Sequence, residues 1–438
     1  MHNKINFIII VFLITACNSI NKINSKKTQK TSLEIEWSIH FGGSKADRAS
    51  RVIKTNDNKY IVIGQTSSSD GDVQLNKGNS DLLIFKIDNL GKIQWQKTFG
   101  GSGEDFATDI SKTKDGGYIV CGSTESKNGD IKINNGRFDY WVLKLTKEGE
   151  LEWEKTFGGT DYDYANSIKP TNDGGYILAG ESVSNDGDIL NNKGGNDFWI
   201  LKLNKQGNID WQKNLGGSAY DEAHMIHQIK DGGYIVGGHS ESSDGDLKKN
   251  NGFNDLWIVK LNKNGIIEWE KSFGGSEYDN FKSVSPTKDG GYIVGASTSS
   301  KIGEIDKNKQ YNNFWILKLD KLGTIEWENV YGGNDNDYLS SVAQIKDGGF
   351  IASGYTNSID GDVKNKNKQG DFWIIKIDKK GLLKWEKTLG GKNEDYANSV
   401  QETNDKSFVI VGNSDPYLTP NISNKYDVDI LIYKLKEK

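Results

Sequence analysis

The chain is poor in cysteine, proline and histidine, and each shortage narrows the possibilities. It has 2 Cys, 4 Pro and 5 His among 438 residues. Two cysteines cannot build a disulfide framework. Few prolines beside 51 glycines indicate tight turns rather than a disordered chain. Five histidines leave little material for catalysis, and we assign no catalytic residue from the sequence.

The chain also lacks a strong charge bias and a high apolar content. Its formal net charge is −5, so it has no basic footprint for nucleic acid, and we expect no nucleic-acid partner. Hydrophobic residues make up 35% of the chain, which is little for one large layered core. Many small interfaces rich in aromatic residues fit this composition better.

The N-terminus has the pattern of an export signal. An apolar run over residues 5–15 follows Lys4 and is too short to span a bilayer. The segment Ile14-Thr15-Ala16-Cys17 resembles the lipobox of bacterial lipoproteins. That resemblance implies a signal peptide over residues 1–16 and cleavage before Cys17. A lipid such as palmitate would then anchor Cys17 in a membrane. The alternative is an ordinary secretory signal with a chance cysteine.

The residues after the cysteine add two expectations. Asn18, rather than Asp, follows Cys17, which resembles cargo sent to the outer membrane of Gram-negative bacteria. Residues 17–32 are polar, rich in lysine and aperiodic, so we expect the lipidated cysteine to lead into a flexible tether. The sequence leaves open whether the protein faces the periplasm or the cell surface.

An internal repeat organises the rest of the chain. A tryptophan followed five residues later by Gly-Gly recurs every 58 residues without insertion or deletion. Such a period indicates stacked or radially arranged units rather than separate domains. The seven tryptophans are Trp37, Trp95, Trp153, Trp211, Trp269, Trp327 and Trp385.

Each repeat reads as four short strands with close turns and no helical periodicity. In the copy over residues 222–273, we predict strands at Glu222–Ile229, Tyr234–Gly238, Asp255–Leu261 and Ile267–Lys271. Four-stranded sheets repeated around an axis make a β-propeller. The sequence therefore predicts an all-β fold of four-stranded antiparallel blades.

The ends of the chain predict the number of blades. The chain opens with a lone fourth strand, Glu34–Phe41, and closes with first, second and third strands at Tyr396–Thr403, Phe408–Val411 and Val428–Leu435. The N-terminal strand would complete the last blade, because ring closure removes free sheet edges. Residues 33–438 are therefore predicted to form a seven-bladed propeller. The alternative, an open β-solenoid, would not need complementary ends.

Residues that recur once per blade are expected to serve the blade. All 12 tryptophans fall at two repeat positions, and we expect them to pack blade on blade. The third-strand position holds Trp141, Trp199, Trp257, Trp315 and Trp373, with Leu83 and Leu431 in the end copies. We expect Cys121, inside an apolar strand, to be a small core residue.

Two aspartates and a lysine also recur. The aspartate after the double glycine is expected to close a loop by accepting backbone N–H groups. The aspartate that opens strand three is followed five residues later by a lysine, which we expect to be its partner, as in the pair Asp255 and Lys260.

The loop from strand two to strand three is long and acidic, and it is expected to share one face of the ring with the Gly-Gly loop. Asp-Gly-Asp supplies hard oxygen ligands suited to Ca²⁺, but Asp-Gly is also a turn dipeptide. The sequence thus offers a possible Ca²⁺ cofactor or plain turn chemistry. The candidate ligands are Asp70, Asp72, Asp186, Asp188, Asp244, Asp246, Asp360 and Asp362.

Three histidines break the repeat symmetry in the fourth copy: His224, His227 and His239. His224 and His227 are three residues apart on a strand, so we expect them to point to opposite faces. On that expectation they do not form a shared site.

From Trp37 to Leu435 the chain resembles a broad group of exported bacterial repeat proteins. The residues that carry the resemblance are Trp269, the segment Gly274-Gly275-Ser276, Asp279, the segment 231–236 and the segment 243–246. The resemblance implies the propeller fold and is poorly specific for activity. Similar repeats are attached to secreted polysaccharide-degrading enzymes.

Two functions from different classes follow as expectations. The first is a lipid-anchored envelope propeller that binds or scaffolds a protein or glycan partner without catalysis. The second is a polysaccharide hydrolase or lyase, similar to an endoglucanase. An enzyme should bring several polar, repeat-breaking residues together at one point of the central channel, whereas a scaffold should have near-identical blades.

Overall fold

The structure is a computed structural model, which describes residues 33–301, 311–364, 370–415 and 428–438. The predicted signal peptide, Cys17 and the tether lie outside the described residues. So do the fifth-copy segment Ile302-Gly303-Glu304 and the prolines Pro416 and Pro420 of the seventh copy. No helix in the described ranges is long and apolar enough to cross a membrane.

Seven four-stranded antiparallel sheets form the ring, and we number them as blades in chain order. Blade 1 comprises β2 (Asp47–Lys54), β3 (Tyr60–Thr66), β4 (Asp81–Ile87) and β5 (Ile93–Phe99). Blade 2 comprises β6 (Asp105–Lys112), β7 (Tyr118–Thr124), β8 (Asp139–Leu145) and β9 (Leu151–Phe157). Blade 3 comprises β10 (Asp163–Pro170), β11 (Tyr176–Ser182), β12 (Asp197–Leu203) and β13 (Ile209–Leu215). Blade 4 comprises β14 (Asp221–Gln228), β15 (Tyr234–Ser240), β16 (Asp255–Leu261) and β17 (Ile267–Phe273).

The remaining blades repeat this plan. Blade 5 comprises β18 (Asp279–Pro286), β19 (Tyr292–Thr298), β20 (Asn313–Leu319) and β21 (Ile325–Tyr331). Blade 6 comprises β22 (Asp337–Gln344), β23 (Phe350–Thr356), β24 (Asp371–Ile377) and β25 (Leu383–Leu389). Blade 7 comprises β26 (Glu394–Glu402), β27 (Ser407–Asp415), β28 (Asp429–Glu437) and β1 (Leu33–Phe41). The predicted seven-bladed propeller is confirmed.

The N-terminal strand closes the ring. β1 pairs antiparallel with β28, from Leu33 opposite Glu437 to Phe41 opposite Ile430. Phe41 is fully buried and stacks on Phe85 of blade 1, with ring centroids 4.5 Å apart. The prediction that the two ends complete one blade is confirmed.

Tryptophans pack blade on blade, as predicted. Trp199 is fully buried, and its ring centroid lies 4.6 Å from that of Tyr140 on the preceding blade. The fourth-strand Trp153 meets Tyr176 of the following blade edge-on at 6.0 Å. Cys121 is fully buried, which confirms its assignment to the core, and burial raises the pKa of its thiol to about 12.

The recurring aspartates have separate partners. Asp221 closes its loop by accepting the N–H of Gly217 at 2.8 Å and the hydroxyl of Ser242 at 2.8 Å, as predicted. The expected pair of Asp255 with Lys260 is wrong. Lys260 Nζ lies 2.9 Å from the turn residue Asp231 instead. Five residues of extended strand span about 17 Å, so the expected partners lie at opposite ends of β16.

A β-bulge interrupts the first strand of every blade. In blade 4 the register shifts between Ala223 and Met225, and equivalent shifts occur in the other six blades. After the shift, His227 pairs with Ile235, four residues from His239 on the same strand. Residues four apart on a strand share a face. The bulge thus turns His227 to the face that carries His224 and His239, so the expectation of opposite faces is wrong.

Burial raises the pKa of the aspartate that opens strand three, as blade 2 illustrates. In blade 2, Asp139 is fully buried. Its Oδ2 accepts the N–H of Asn135 at 2.8 Å, and its Oδ1 has no hydrogen-bond partner among the described protein atoms. Burial, together with the charge of Asp163, raises the pKa of Asp139 to about 7.

Replacing Asp139 with asparagine is therefore expected to stabilise the ring at pH 8 and not at pH 4. The folded-state pKa of about 7 exceeds the unfolded value of about 3.9. The folded protein then binds more protons between those values, so the stability linked to Asp139 is lost as pH rises through about 7. The gain at pH 8 is expected to reach about 2–4 kcal/mol.

Urea unfolding of the native protein and D139N at pH 4, 6 and 8 measures this difference. Asparagine fits the position, because blade 5 carries Asn313 there, with an exposed fraction of 2%. Equal pH slopes for the two proteins would contradict the assignment.

Candidate functional site in the central channel

The seven blades differ from one another in the side chains that line the central channel. First strands of all seven blades contribute to the lining of a cavity of about 240 Å³. The position directly after the bulge lines this cavity in six of the blades, and it carries different side chains around the ring. In blade order it holds Arg51, Asp109, Ser167, Met225, Ser283, Ser341 and Ser399.

A buried ion cluster occupies one side of this cavity. Arg51 Nε lies 2.9 Å from Asp109 Oδ1, and Lys169 contacts Asp109 Oδ2. The fully buried Asp109 also accepts the N–H of Ile168 at 2.9 Å. Burial opposes ionisation, but the charges of Arg51 and Lys169 hold the pKa of Asp109 below its usual value. Burial, and next the charge of Lys169, lower the pKa of His227 to about 3.

A second polar cluster lies on β14 and β15 of blade 4, on the side of the Gly-Gly loop. His224 Nε2 lies 3.1 Å from His239 Nδ1, and His239 Nε2 lies 3.3 Å from Glu222 Oε2. Glu222 Oε2 is 3.9 Å from His224 Nε2. Glu222 and His239 are opposite one another in the β14–β15 ladder, and the bulge adds His224 to the same face.

Neighbouring groups and burial shift the pKa values of the residues in this cluster. The hydrogen bond from His239 lowers the pKa of Glu222, whereas burial lowers the pKa of His224 well below its usual value. Burial and the carboxylate of Glu222 raise the pKa of Glu181, on blade 3, to about 8. Blade 4 thus holds a carboxylate beside two imidazoles, with the charge of Lys282 from blade 5 acting on both Glu222 and His224.

Other blades use the equivalent positions to join neighbours. At the position of His239, three blades place a side chain that accepts a backbone N–H of the next blade. These contacts are Ser123 with Ala165 N at 3.2 Å, Ser297 with Leu339 N at 2.9 Å and Asn413 with Ala49 N at 2.7 Å. In blade 4, His239 is directed to Glu222 and His224 instead. Comparing the seven copies position by position would have found this departure in the sequence.

The Asp-Gly-Asp loops meet the Gly-Gly loops on one face of the ring, as predicted. In blade 4, Asp244 Oδ1 accepts the N–H of Ser218 at 2.8 Å, and Asp246 Oδ2 accepts the N–H of Gly216 at 3.1 Å. The same pairings occur for Asp70 with Ser44, Asp72 with Gly42, Asp186 with Thr160, Asp188 with Gly158, Asp360 with Asn334 and Asp362 with Gly332. These carboxylates therefore hold turns together, and the calcium assignment stays a prediction.

Exposed aromatic rings lie on this loop face. Phe253 and Tyr278 stack with centroids 4.8 Å apart and planes inclined by 9°. Their exposed fractions are 55% and 48%. Two junctions away along the ring, the guanidinium of Arg137 lies 4.8 Å from the ring centroid of Tyr162. The rings stand beside the acidic loops, at positions that vary between copies.

The closed ring of seven blades around a polar channel defines the chain as a β-propeller. No family model matches it. The chain is 20% identical over 380 residues to the regulatory protein FlaEY of Caulobacter vibrioides, a match that covers 76% of this chain. The matched region spans 39% of the length of FlaEY.

A solved structure supports the fold. The Pan2 WD40 domain of Neurospora crassa superposes with a TM-score of 0.51 at 8% sequence identity, covering 92% of this chain and 94% of that domain. At this identity the likeness concerns the fold alone.

Proposed function

We propose that the protein is a non-enzymatic interaction scaffold that binds a protein partner through the loop face. The stacked pair of Phe253 and Tyr278 carries this proposal. Aromatic side chains left in water contribute little to folding, yet they are enriched at the centres of protein interfaces. The neighbouring carboxylates of Asp244 and Asp246 would supply a polar rim. We further propose that a lipid on Cys17 holds the ring at the outer membrane.

The proposal rests on a fold that commonly serves in protein interaction. The regulatory role in the name of FlaEY is compatible with binding rather than catalysis. A glycan remains the other partner class, because stacked planar rings also suit the apolar faces of sugars.

Site-specific photocross-linking in the cells that make the protein tests the surface. A photoreactive amino acid at Phe253 is expected to give one discrete cross-linked partner. The matched control is Leu322, which is 60% exposed in the turn between β20 and β21 on the opposite face. Equal products from both positions, or none from Phe253, would contradict a protein-binding loop face. A thermal shift with one soluble glycan, lost on Tyr278→Ser, would move the partner to carbohydrate.

A second function is favoured by one observation. Glu222, His224 and His239 converge in blade 4. Converging polar residues that break the repeat are expected of a polysaccharide hydrolase or lyase rather than of identical blades. Release of reducing or unsaturated ends from a polysaccharide panel, lost on His239→Ala, would support that function.

A further inference from the structure

The cluster in blade 4 has the composition of a transition-metal site. One ligand atom each from Glu222, His224 and His239 lies within 4.8 Å of the other two. Among the residues that the structure describes, one group of three histidine, cysteine or acidic side chains has its ligand atoms this close together, and it is this group. Two imidazoles and one carboxylate are the protein ligands of a common class of open zinc site.

The distances suit a small divalent ion. Ligand atoms held about 2.0–2.1 Å from a tetrahedral ion lie about 3.3 Å from one another. The measured separations are 3.1 Å between the two histidines, 3.3 Å from His239 to Glu222 and 3.9 Å from His224 to Glu222. The two shorter contacts use different nitrogens of His239, so that ring has to rotate to present one nitrogen to the ion. With one ligand atom taken from each residue, the atoms lie within 4.8 Å of one another.

The three side chains project from an ordered pair of strands and are partly exposed to solvent. Glu222, His224 and His239 keep exposed fractions of 30%, 25% and 14%, so the cluster is partly open to solvent. A three-ligand site with solvent on one side leaves a coordination position for water or a ligand. The backbone around the cluster is fixed by the β14–β15 ladder, so the site is largely formed before an ion arrives.

We propose that Glu222, His224 and His239 of blade 4 bind one first-row divalent transition-metal ion, of the zinc class. Imidazole nitrogens favour such ions over Ca²⁺ and Mg²⁺, which take oxygen ligands. The site is separate from the calcium prediction for the Asp-Gly-Asp loops. It also goes beyond the proposed scaffold function and does not depend on it.

Metal binding by the purified full chain tests the proposal. After treatment with EDTA and its removal, titration calorimetry with Zn²⁺ is expected to show one equivalent bound per chain. Co²⁺ in place of Zn²⁺ is expected to give the visible absorption bands of a low-symmetry, four- or five-coordinate site. His239→Ala and His224→Ala should each lose that equivalent and those bands. Lys282→Met is expected to bind more tightly, because it removes a neighbouring positive charge.

The matched control is His227→Ala, which changes a histidine of the same strand outside the cluster and is expected to bind as the native protein does. Thermal midpoints of the metal-free variants show whether each one folds. Absence of a bound equivalent in the native chain would overturn the proposal, as would binding that survives His239→Ala or is lost in His227→Ala. Cross-linking at Phe253 needs no metal, so the two proposals fail separately.

Discussion

Replacing Asp109 with alanine is expected to destabilise the ring by about 3–5 kcal/mol, because it leaves two partly buried cations without their counterion. Asp109 has no exposed surface and is contacted by both Arg51 and Lys169. It also accepts the N–H of Ile168 at 2.9 Å, so the substitution leaves a backbone N–H of the next blade without this acceptor. Urea unfolding followed by tryptophan fluorescence at pH 7 measures the loss.

The repeat supplies a control for that change. Ser341 occupies the same repeat position in blade 6, and Ser341→Ala removes a hydroxyl from the same channel without unpairing a charge. We expect it to cost less than about 1 kcal/mol. Similar losses for the two variants would show that the ion cluster does not set the stability of the channel.

The difference in stability between the native protein and D109A depends on pH, and the direction of the pKa shift of Asp109 predicts how. The folded-state pKa of Asp109 is below its usual value. The stability that it contributes is therefore present above the unfolded pKa of about 3.9 and is lost as pH falls through the folded pKa. The difference between native protein and D109A should shrink below pH 4.

Removing the closing strand is expected to have an even larger effect. A chain that begins after Phe41 loses the whole β1–β28 ladder and the buried Phe41 ring, which stacks on Phe85. Loss of a buried phenylalanine alone costs about 3–5 kcal/mol. The thermal midpoint is expected to fall by at least about 5–10 °C.

The truncated ring should also change its association state. β28 would become a free edge, and free edges pair with other chains. Calorimetry and light scattering are expected to show a lower midpoint together with oligomers. A chain that begins at Leu33 is the control, because it keeps β1 intact. An unchanged midpoint and a monomeric truncated chain would mean that closure by β1 does not stabilise the ring.

Much of the fold could be predicted from the sequence because the repeat is local and regular. The 58-residue spacing of Trp and Gly-Gly, the alternation within strands and the complementary chain ends together predicted seven blades. Each of these signals depends on neighbours along the chain or on the count of copies. The observed strand bounds differ little from the predicted ones. The strand predicted at Tyr234–Gly238, for example, extends to Ser240, because its ladder with β16 continues to Asp255.

The channel could not be predicted in the same way. Arg51, Asp109 and Lys169 are about one or two repeats apart, and the packing of three consecutive blades brings their charged ends together. The partner of Lys260 was mistaken because Asp231 lies in the turn between β14 and β15, at the far end of the blade from Asp255. Pairings between strands are set by register, which residue types alone do not specify.

The sequence by itself determined the blade, the number of blades and the way in which the ring closes. The tertiary structure alone decided which side chains share the channel. A bulge of one residue after Ala223 placed His224 and His227 on one face, against the simple alternation of a strand. The bulge was not predicted from residue type, because it is a property of how two strands pair: one residue is left without a partner across the ladder.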